Sequence, residues 1–115
     1  MAVYQLDRDE ITRLRALSER VFNLNHLLCI AVVMLETDHP VTQTELARAV
    51  GANHASSLVA PLQRLQAGQF ITRADQNSAG ERPLERCDSY FWDLVTELRQ
   101  RAGETQDPNP QRALF

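Results

Sequence analysis

The segment from Val41 to Ala74, VTQTELARAVGANHASSLVAPLQRLQAGQFITRA, decides the fold because it holds two short apolar periodicities separated by a glycine. The first periodicity consists of Leu46, Ala47 and Val50, and the second of Leu58, Leu62 and Leu65. Both follow helical spacing, and Gly51 between them is the residue type that most readily ends a helix in a left-handed conformation. We therefore predict two short helices joined by a tight turn, the second running to about Gln66.

The local signals inside this segment concern caps and one proline. Thr42 or Thr44 is a suitable N-cap for the first short helix, and Asn53 for the second. Pro61 removes a backbone donor in the middle of the second helix, at a cost of about 3 kcal/mol in a regular helix. A kink, or a helix that effectively begins near Ser57, would accommodate it.

The flanking sequence predicts a hairpin and three longer helices. Residues 70–75 alternate, QNSAGERP has turn composition, and residues 84–87 form a return strand. Upstream, an Asp7–Glu10 capping box and helical spacing predict a helix over residues 8–21. A second helix is predicted over residues 26–36, and its segment LLCIAVVML is apolar on all sides, so we expect it at the centre of the core. Downstream, Asp88 or Ser89 caps a helix to about residue 102, and residues 104–115 are expected to form a flexible tail. The fold class expected is mainly α with a small β-hairpin.

Length and charge restrict the class of protein. The 115 residues suit a single domain, here residues 1–103, with one modest core. No apolar run reaches the ~18 residues that a membrane span needs. The N-terminus has no basic-then-apolar signal, and two cysteines make no disulfide framework, so a cytoplasmic location is expected. The net charge of −3 disfavours indiscriminate binding to polyanions and makes the local distribution of charge decisive.

That distribution is uneven. The chain has fifteen acidic residues against twelve arginines and no lysine, yet residues 46–74 contain no aspartate or glutamate. A helix in the major groove lies between two rows of phosphates, spaced at one charge per ~1.7 Å of duplex, and a carboxylate there adds repulsion. An acid-free segment of this kind is what DNA contact requires.

The sequence TELARAVGANHASSLVAPLQRLQAGQFITR resembles the core of MarR- and ArsR-like winged helix-turn-helix transcriptional regulators. The Leu-Ala pair, the glycine turn and the three leucines of the second helix carry the resemblance, and GERP is similar to the acidic-x-Arg wing of the MarR-like branch. It covers about residues 27–87. The chain has one C-terminal helix where two are usual in MarR proteins, and it lacks the cysteine metal signature of ArsR proteins. The resemblance implies a DNA-binding regulator within the superfamily and leaves the branch open.

Helical geometry then predicts which residues would contact DNA. With the three leucines inward, the second helix presents polar and small side chains outward. The start of the first helix can offer hydroxyl and N–H groups to phosphate. The wing supplies arginines, and Arg82 is expected at its tip, where it could enter a minor groove. The predicted DNA-binding residues are Thr42, Gln43, Thr44, Asn53, Ser56, Ser57, Ala60, Gln63, Arg64, Arg73 and Arg82.

The terminal helices predict a homodimer. Each carries an apolar stripe, and a single small core was expected to leave part of these stripes exposed for a two-fold interface. The predicted dimerisation residues are Ile11, Leu14, Leu17, Val21, Phe91, Trp92, Val95 and Leu98.

Other functions and sites remain as alternatives. A polar, acid-free face is also compatible with a winged-helix adaptor or anti-activator that binds a protein and no DNA. A small-molecule effector stays open as a partner, and no membrane association is expected. No nucleophile elbow, phosphate loop or metalloprotease pair is present, so we expect neither an enzyme nor a cofactor.

The histidines and cysteines give weak signals. His26 and Cys29 lie one helical turn apart but have no further ligands at a recognisable spacing, so no metal site is expected. Cys29 lies in an apolar run, where an inert buried thiol is more usual than a redox switch. Cys87 is expected to be more exposed. His54 is placed near the core edge of its helix.

Overall fold

A computed structural model describes residues 2–104. In that range the chain forms α1 (Arg8–Phe22), α2 (Leu27–Glu36), α3 (Gln43–Ala49), a 3-10 helix (Ala55–Leu58), α4 (Val59–Ala67), β1 (Ile71–Arg73), β2 (Leu84–Arg86) and α5 (Phe91–Glu104). The protein is thus mainly helical with a small antiparallel sheet, as predicted. Of the predicted tail, Glu104 belongs to α5, and the remainder lies outside the described residues.

Helix α2 forms the centre of the core. All eight residues from Leu27 to Met34 are buried, which confirms the central position predicted from its continuous apolar run. Helices α1 and α5 pack against α2 and against each other. Their inward side chains, among them Leu14 and Val95, are fully buried.

The two strands pair in a short antiparallel ladder. Ile71 lies opposite Arg86, and Arg73 opposite Leu84. Val41 extends the ladder on the other side of Leu84, because the two residues exchange backbone hydrogen bonds of 2.8 and 2.7 Å. The strands are shorter than the predicted ranges of 70–75 and 84–87, since regular pairing stops where the hairpin loop begins. The ladder connects the segment before α3 to the hairpin after α4.

Aromatic side chains fasten the hairpin to α5. Phe70 stacks on Phe91 with ring centroids 4.2 Å apart, and Phe91 meets Trp92 edge to face. The indole N–H of Trp92 donates to the carbonyl oxygen of Cys87 at 2.8 Å. Ser89 accepts a hydrogen bond from the N–H of Phe91, so Ser89 provides the side-chain bond at the start of α5. The hairpin therefore has a fixed base on the helical core.

The corner between α1 and α2 depends on two polar residues. Asn23 ends α1 in the left-handed conformation, with φ of 57°. The buried hydroxyl of Ser18 donates to the carbonyl of Leu24 and accepts from the N–H of Leu28 at 3.0 Å. One side chain thus satisfies backbone groups on both sides of the corner.

A polar network joins α1, α2 and α5 at the opposite end of the core. The guanidinium of Arg99 bonds Glu10 at 2.9 Å, Glu36 at 2.8 Å and the hydroxyl of Tyr4 at 2.8 Å. Burial lowers the pKa of Arg99, but the hydrogen bond and charge of Glu10, with the charges of Tyr4 and Glu36, outweigh it and raise the pKa overall. Arg99 therefore stays charged and links four parts of the chain.

No single helix among residues 2–104 is long and apolar enough to cross a membrane. Helices α1 and α2 meet the length and composition criteria only as a pair, and the pair is bent by 118°.

Candidate nucleic-acid interface

Helix α3 and the segment after it are joined by a tight turn around Gly51. Gly51 has φ of 73°, the left-handed conformation expected from the sequence. A side chain at this position would also approach the Ile11 side chain of α1 at 3.4 Å. The N–H of Ala52 donates to the carbonyl of Ala47 at 2.9 Å and closes the turn. The turn thus fixes the next helix relative to the core.

The start of α3 is closed by its own side chains. The hydroxyl of Thr42 accepts from the N–H of Glu45 at 3.1 Å, and the Glu45 carboxylate accepts from the N–H of Thr42 at 2.9 Å. This complete capping box confirms Thr42 as the N-cap. The Thr42 side chain is buried and already bonded, with a carboxylate beside it, and this environment disfavours the predicted phosphate contact of its hydroxyl.

Gln43 and Thr44 have different environments. The side-chain amide of Gln43 donates to the carbonyl of Ala55 at 2.7 Å, which ties the start of α3 to the 3-10 helix. Gln43 is therefore a structural link, in contrast to its predicted role at phosphate. Thr44 is exposed and remains available for contact.

The second helix begins differently from the prediction. Asn53 is exposed and does not cap it; instead His54, in extended conformation, precedes a 3-10 helix and makes no capping hydrogen bond with its side chain. His54 is exposed, so its predicted place at the core edge is wrong. The cap prediction failed because the chain makes one turn of 3-10 helix, Ala55–Leu58, before α4 starts.

That 3-10 turn explains Pro61. Helix α4 starts at Val59, so Pro61 is its third residue and lies in the first turn, where backbone N–H groups have no partner within the helix. Its ring is buried together with Leu62 and Leu65. Of the two arrangements considered from the sequence, the structure has the later helix start.

The outer side of the 3-10 helix and α4 is exposed and carries no carboxylate. We call it the acid-free surface, and its exposed residues are Asn53, Ser56, Ser57, Val59, Ala60, Gln63, Arg64 and Ala67. Within the described residues, the side chains of Ser56, Ser57, Gln63 and Arg64 make no hydrogen bond or salt bridge. The predicted residues of the second helix thus lie together, with their polar groups available. Val59 belongs to the same surface and is not among the residues predicted from the sequence.

The exit from α4 depends on Gly68 for a steric reason. Gly68 has φ of −78°, and the left-handed residue is Gln69, with φ of 63°. A Cβ on Gly68 would lie 2.5 Å from the Phe70 ring, so glycine leaves room for the ring that stacks on Phe91. The direction in which the hairpin leaves α4 follows from this packing.

The hairpin loop is a compact turn held by Asn77. Its side-chain oxygen accepts from the N–H groups of Ala79 and Glu81 at 2.9 and 3.0 Å, and Gly80 adopts φ of 82°. Residues 77–80 therefore form the tip. Arg82 lies behind the tip, where its guanidinium donates to the carbonyls of Ala74 at 3.1 Å and Arg73 at 3.4 Å. The predicted position of Arg82 at the tip is wrong.

Arg73 and Arg82 are linked across the hairpin, because each guanidinium donates to the backbone carbonyl of the other residue. Arg73 donates to the carbonyl of Arg82 at 3.2 Å, and both side chains remain exposed. Their charges are accessible, although part of their donor capacity is used within the hairpin. Exposed Asp75, Glu81 and Glu85 lie on the same hairpin and offset that charge.

The predicted dimerisation residues are mostly inside the protomer. Leu14 and Val95 are fully buried, and Phe91, Trp92 and Leu98 are buried as well. Ile11 and Leu17 are half-buried and pack against the same core, and Val21 is exposed. The expectation that the core leaves part of the stripes exposed is therefore confirmed for α1 and wrong for α5, whose whole stripe is buried. Helix α2 is apolar all round and contacts both helices.

The two cysteines differ in environment. Burial raises the pKa of the Cys29 thiol to about 12, although the charge of Arg15 acts in the opposite direction. Such a thiol forms almost no thiolate at neutral pH and is inert, as expected from its apolar run. Cys87 is half-buried at the base of the hairpin. In residues 2–104, no three His, Cys, Asp or Glu side chains lie close enough together to hold a metal ion.

The side chains predicted on the outer surface of the second helix lie where the sequence predicts them. The environments of the predicted residues at the start of α3, at the hairpin tip and in the core differ from the predictions. Comparison with protein-family models gives no match, and comparison with curated proteins gives no significantly similar sequence.

Proposed function

We propose that this protein is a winged helix-turn-helix DNA-binding regulator of transcription, in which α4 enters the major groove and the hairpin acts as the wing. The observation that carries the proposal is the acid-free surface. It is exposed and polar, and its serine, glutamine and arginine side chains have no partner within the described residues. Groups of this kind suit base edges and phosphates.

The geometry around α4 supports the same function. Helix α3, the turn at Gly51 and α4 follow the order of a helix-turn-helix, and the hairpin follows directly. Arg64 on α4 and Arg48 on α3 are exposed and supply positive charge near this surface. Phosphate contacts by such cations provide much of the affinity of DNA-binding proteins.

The test introduces a carboxylate into the surface. Ala60→Glu places a negative charge on the exposed side of the first turn of α4, where it would face DNA phosphates. Ala16→Glu places the same charge on an exposed alanine of α1. Duplexes are selected from a random-sequence pool with the wild-type protein, and affinities are measured by fluorescence anisotropy over a range of salt concentrations. We expect Ala60→Glu to lose at least about tenfold in affinity and Ala16→Glu to bind like the wild type. Equal binding by both variants, or no selected duplex at low salt, would refute the proposal.

We also propose that the protein acts as a homodimer. Three of its exposed large apolar side chains lie on or next to the terminal helices, namely Val21 at 49%, Tyr90 at 89% and Leu94 at 41% exposure. A second copy would cover these residues and place two recognition helices on half-sites about 34 Å apart. The proposed interface keeps Val21 of the stripe predicted from the sequence and replaces the buried residues of that prediction with Tyr90 and Leu94.

Two charge substitutions separate dimerisation from DNA contact. Leu94→Asp should give monomers in sedimentation equilibrium and weaken binding to a palindrome, because binding of the second half-site is no longer intramolecular. Val59→Asp puts the same charge on α4 and should remain dimeric while losing DNA binding. A dimer that persists in Leu94→Asp would show that this face is not the interface.

The alternative function is a winged-helix adaptor that binds another protein and no DNA. The hairpin favours it, because Arg73 and Arg82 donate to backbone carbonyls and three carboxylates lie nearby. A hairpin with this balance of charge gains little from a phosphate backbone. The absence of DNA binding at low salt in the selection above is the result that would favour the adaptor.

A further inference from the structure

Gln63 lies in the middle of the acid-free surface. The buried side of α4 is formed by Pro61, Leu62 and Leu65, and Gln63 projects away from it. At 3.6 residues per turn, side chains three and four positions before Gln63 share its face. These residues are Ala60 and Val59, and both are exposed.

Val59 is an apolar residue on this exposed face. It is 43% exposed and is one of four exposed large apolar residues among residues 2–104. The three residues together place a neutral amide beside two apolar groups. Their face of α4 offers one hydrogen-bond donor and acceptor pair and two methyl-bearing surfaces, with no charge among them.

This combination matches one base pair in the major groove. Adenine presents an acceptor at N7 next to a donor at N6, and a carboxamide can bond both at once. Thymine carries a C5 methyl group that makes favourable apolar contacts. Guanine presents two acceptors, N7 and O6, so a single carboxamide cannot satisfy it in the same way.

We propose that Gln63, Val59 and Ala60 recognise A·T base pairs in the major groove. Gln63 hydrogen bonds N6 and N7 of an adenine, and Val59 and Ala60 contact the methyl groups of thymines on the same or the next base pair. The assignment rests on the proposed DNA-binding function and specifies the base identity at the centre of each half-site.

The experiment uses duplexes selected by the wild-type protein from a random pool, followed by single-atom changes in the DNA. Deoxyuridine in place of thymidine removes only the C5 methyl group, and 7-deazaadenine in place of adenine removes only the N7 acceptor. We expect the selected sites to hold A·T pairs at their centre. One uracil substitution should weaken wild-type binding about fourfold, the factor for one methyl-sized group. Loss of N7 should weaken it about fivefold or more.

Protein variants assign these effects to residues. Val59→Ser should lose sensitivity to uracil at the thymine that Val59 contacts and keep it at a thymine that Ala60 contacts. Gln63→Ala should bind adenine and 7-deazaadenine duplexes with nearly equal affinity. Thr12→Ser removes one methyl group from an exposed residue of α1, and Gln100→Ala removes an exposed carboxamide from α5. Both variants should respond to the two DNA changes like the wild type.

The outcomes separate this assignment from the function on which it rests. If the wild-type protein selects no duplex, DNA binding and A·T recognition both fail. If it selects duplexes but tolerates uracil and 7-deazaadenine at every position, the A·T assignment is wrong and DNA binding stands. Selection of G·C pairs at the centre, or unchanged methyl sensitivity in Val59→Ser, would overturn it equally. The DNA changes alone decide the matter even where a protein variant folds poorly.

Discussion

The helical core of α1, α2 and α5 and the outer side of α4 differ in whether their polar side chains have partners within the protein. In the core, Arg99 bonds two carboxylates and a hydroxyl, and Ser18 bonds two backbone groups. On α4, Gln63 and Arg64 have no partner within the described residues. Polar groups of the first kind stabilise the fold, whereas those of the second kind are available to a ligand.

The hairpin is intermediate between these two regions. Arg73 and Arg82 are exposed, yet each donates to a backbone carbonyl on the other side of the hairpin. The contrast shows that exposure alone does not identify a contact surface, because an exposed cation can be bonded within its own element. The presence or absence of internal partners separates α4 from the hairpin.

The largest expected effect comes from the core. Leu14→Ala should lower the free energy of unfolding by about 2–5 kcal/mol, since Leu14 is fully buried between helices and its loss leaves a cavity. Urea denaturation followed by circular dichroism measures it. Val21→Ala on the same helix is the control and should change stability by about 0.5 kcal/mol or less. A small effect of Leu14→Ala on stability would place this residue at an interface, as the sequence first suggested. It would also contradict the assignment of Leu14 to the helical core.

The next effect concerns Arg64, which should matter for binding and not for folding. Arg64→Ala should weaken binding to a selected duplex by about 1–3 kcal/mol if it bonds guanine, and should lower the salt slope by about one if it contacts phosphate. Urea denaturation should show no change in stability. Arg20→Ala, an exposed arginine on α1, should bind like the wild type. Unchanged binding by Arg64→Ala would remove arginine from the predicted contact surface.

A third substitution tests the polar network of the core. Arg99→Met should cost about 1–2 kcal/mol of stability, because it removes the partner of Glu10, whose side chain is largely buried. Arg101→Met breaks an exposed pair with Glu97 at 3.6 Å and should cost about 0.5 kcal/mol or less. DNA affinity of the folded Arg99→Met protein should be unchanged. A similar cost for both variants would mean that the network adds nothing beyond an ordinary surface pair.

The smallest effect is a dependence of stability on pH through His26. Burial, and secondarily the charge of Arg15, lowers the pKa of His26, whose buried Nδ1 at the start of α2 has no hydrogen-bond partner among residues 2–104. The unfolded state therefore binds a proton at His26 more readily than the folded state does. The contribution of neutral His26 to the free energy of unfolding is complete above about pH 6.5 and is lost as the pH falls below that value. Denaturation at pH 7.5, 6.5 and 5.5 measures it.

His26→Gln should flatten that dependence, and His54→Gln, at an exposed position, should leave it as in the wild type. A steeper loss of stability in His26→Gln at low pH would contradict the sign derived above.

Much of the arrangement follows from local sequence signals. The apolar run of α2 predicts a central helix because no face of it is polar, and Gly51 predicts the turn because few other residues adopt its conformation without strain. Arginine, serine and glutamine at outward positions of α4 are predicted correctly because the leucine spacing fixes the buried face. The absence of carboxylates in residues 46–74 is likewise a property of sequence alone.

Tertiary packing decided the remainder. How much of each apolar stripe is buried depends on how much surface α2 covers. The burial of Leu14 and Val95 shows this coverage in the structure, whereas the periodicity of the sequence does not predict it. Arg82 and Gln43 have the right chemistry for DNA, but folding brings backbone carbonyls of distant residues within reach of their donors. Local spacing determines the face of the helix on which a side chain lies. The hydrogen-bond partners of that side chain belong to other segments of the chain, which reach it only after folding.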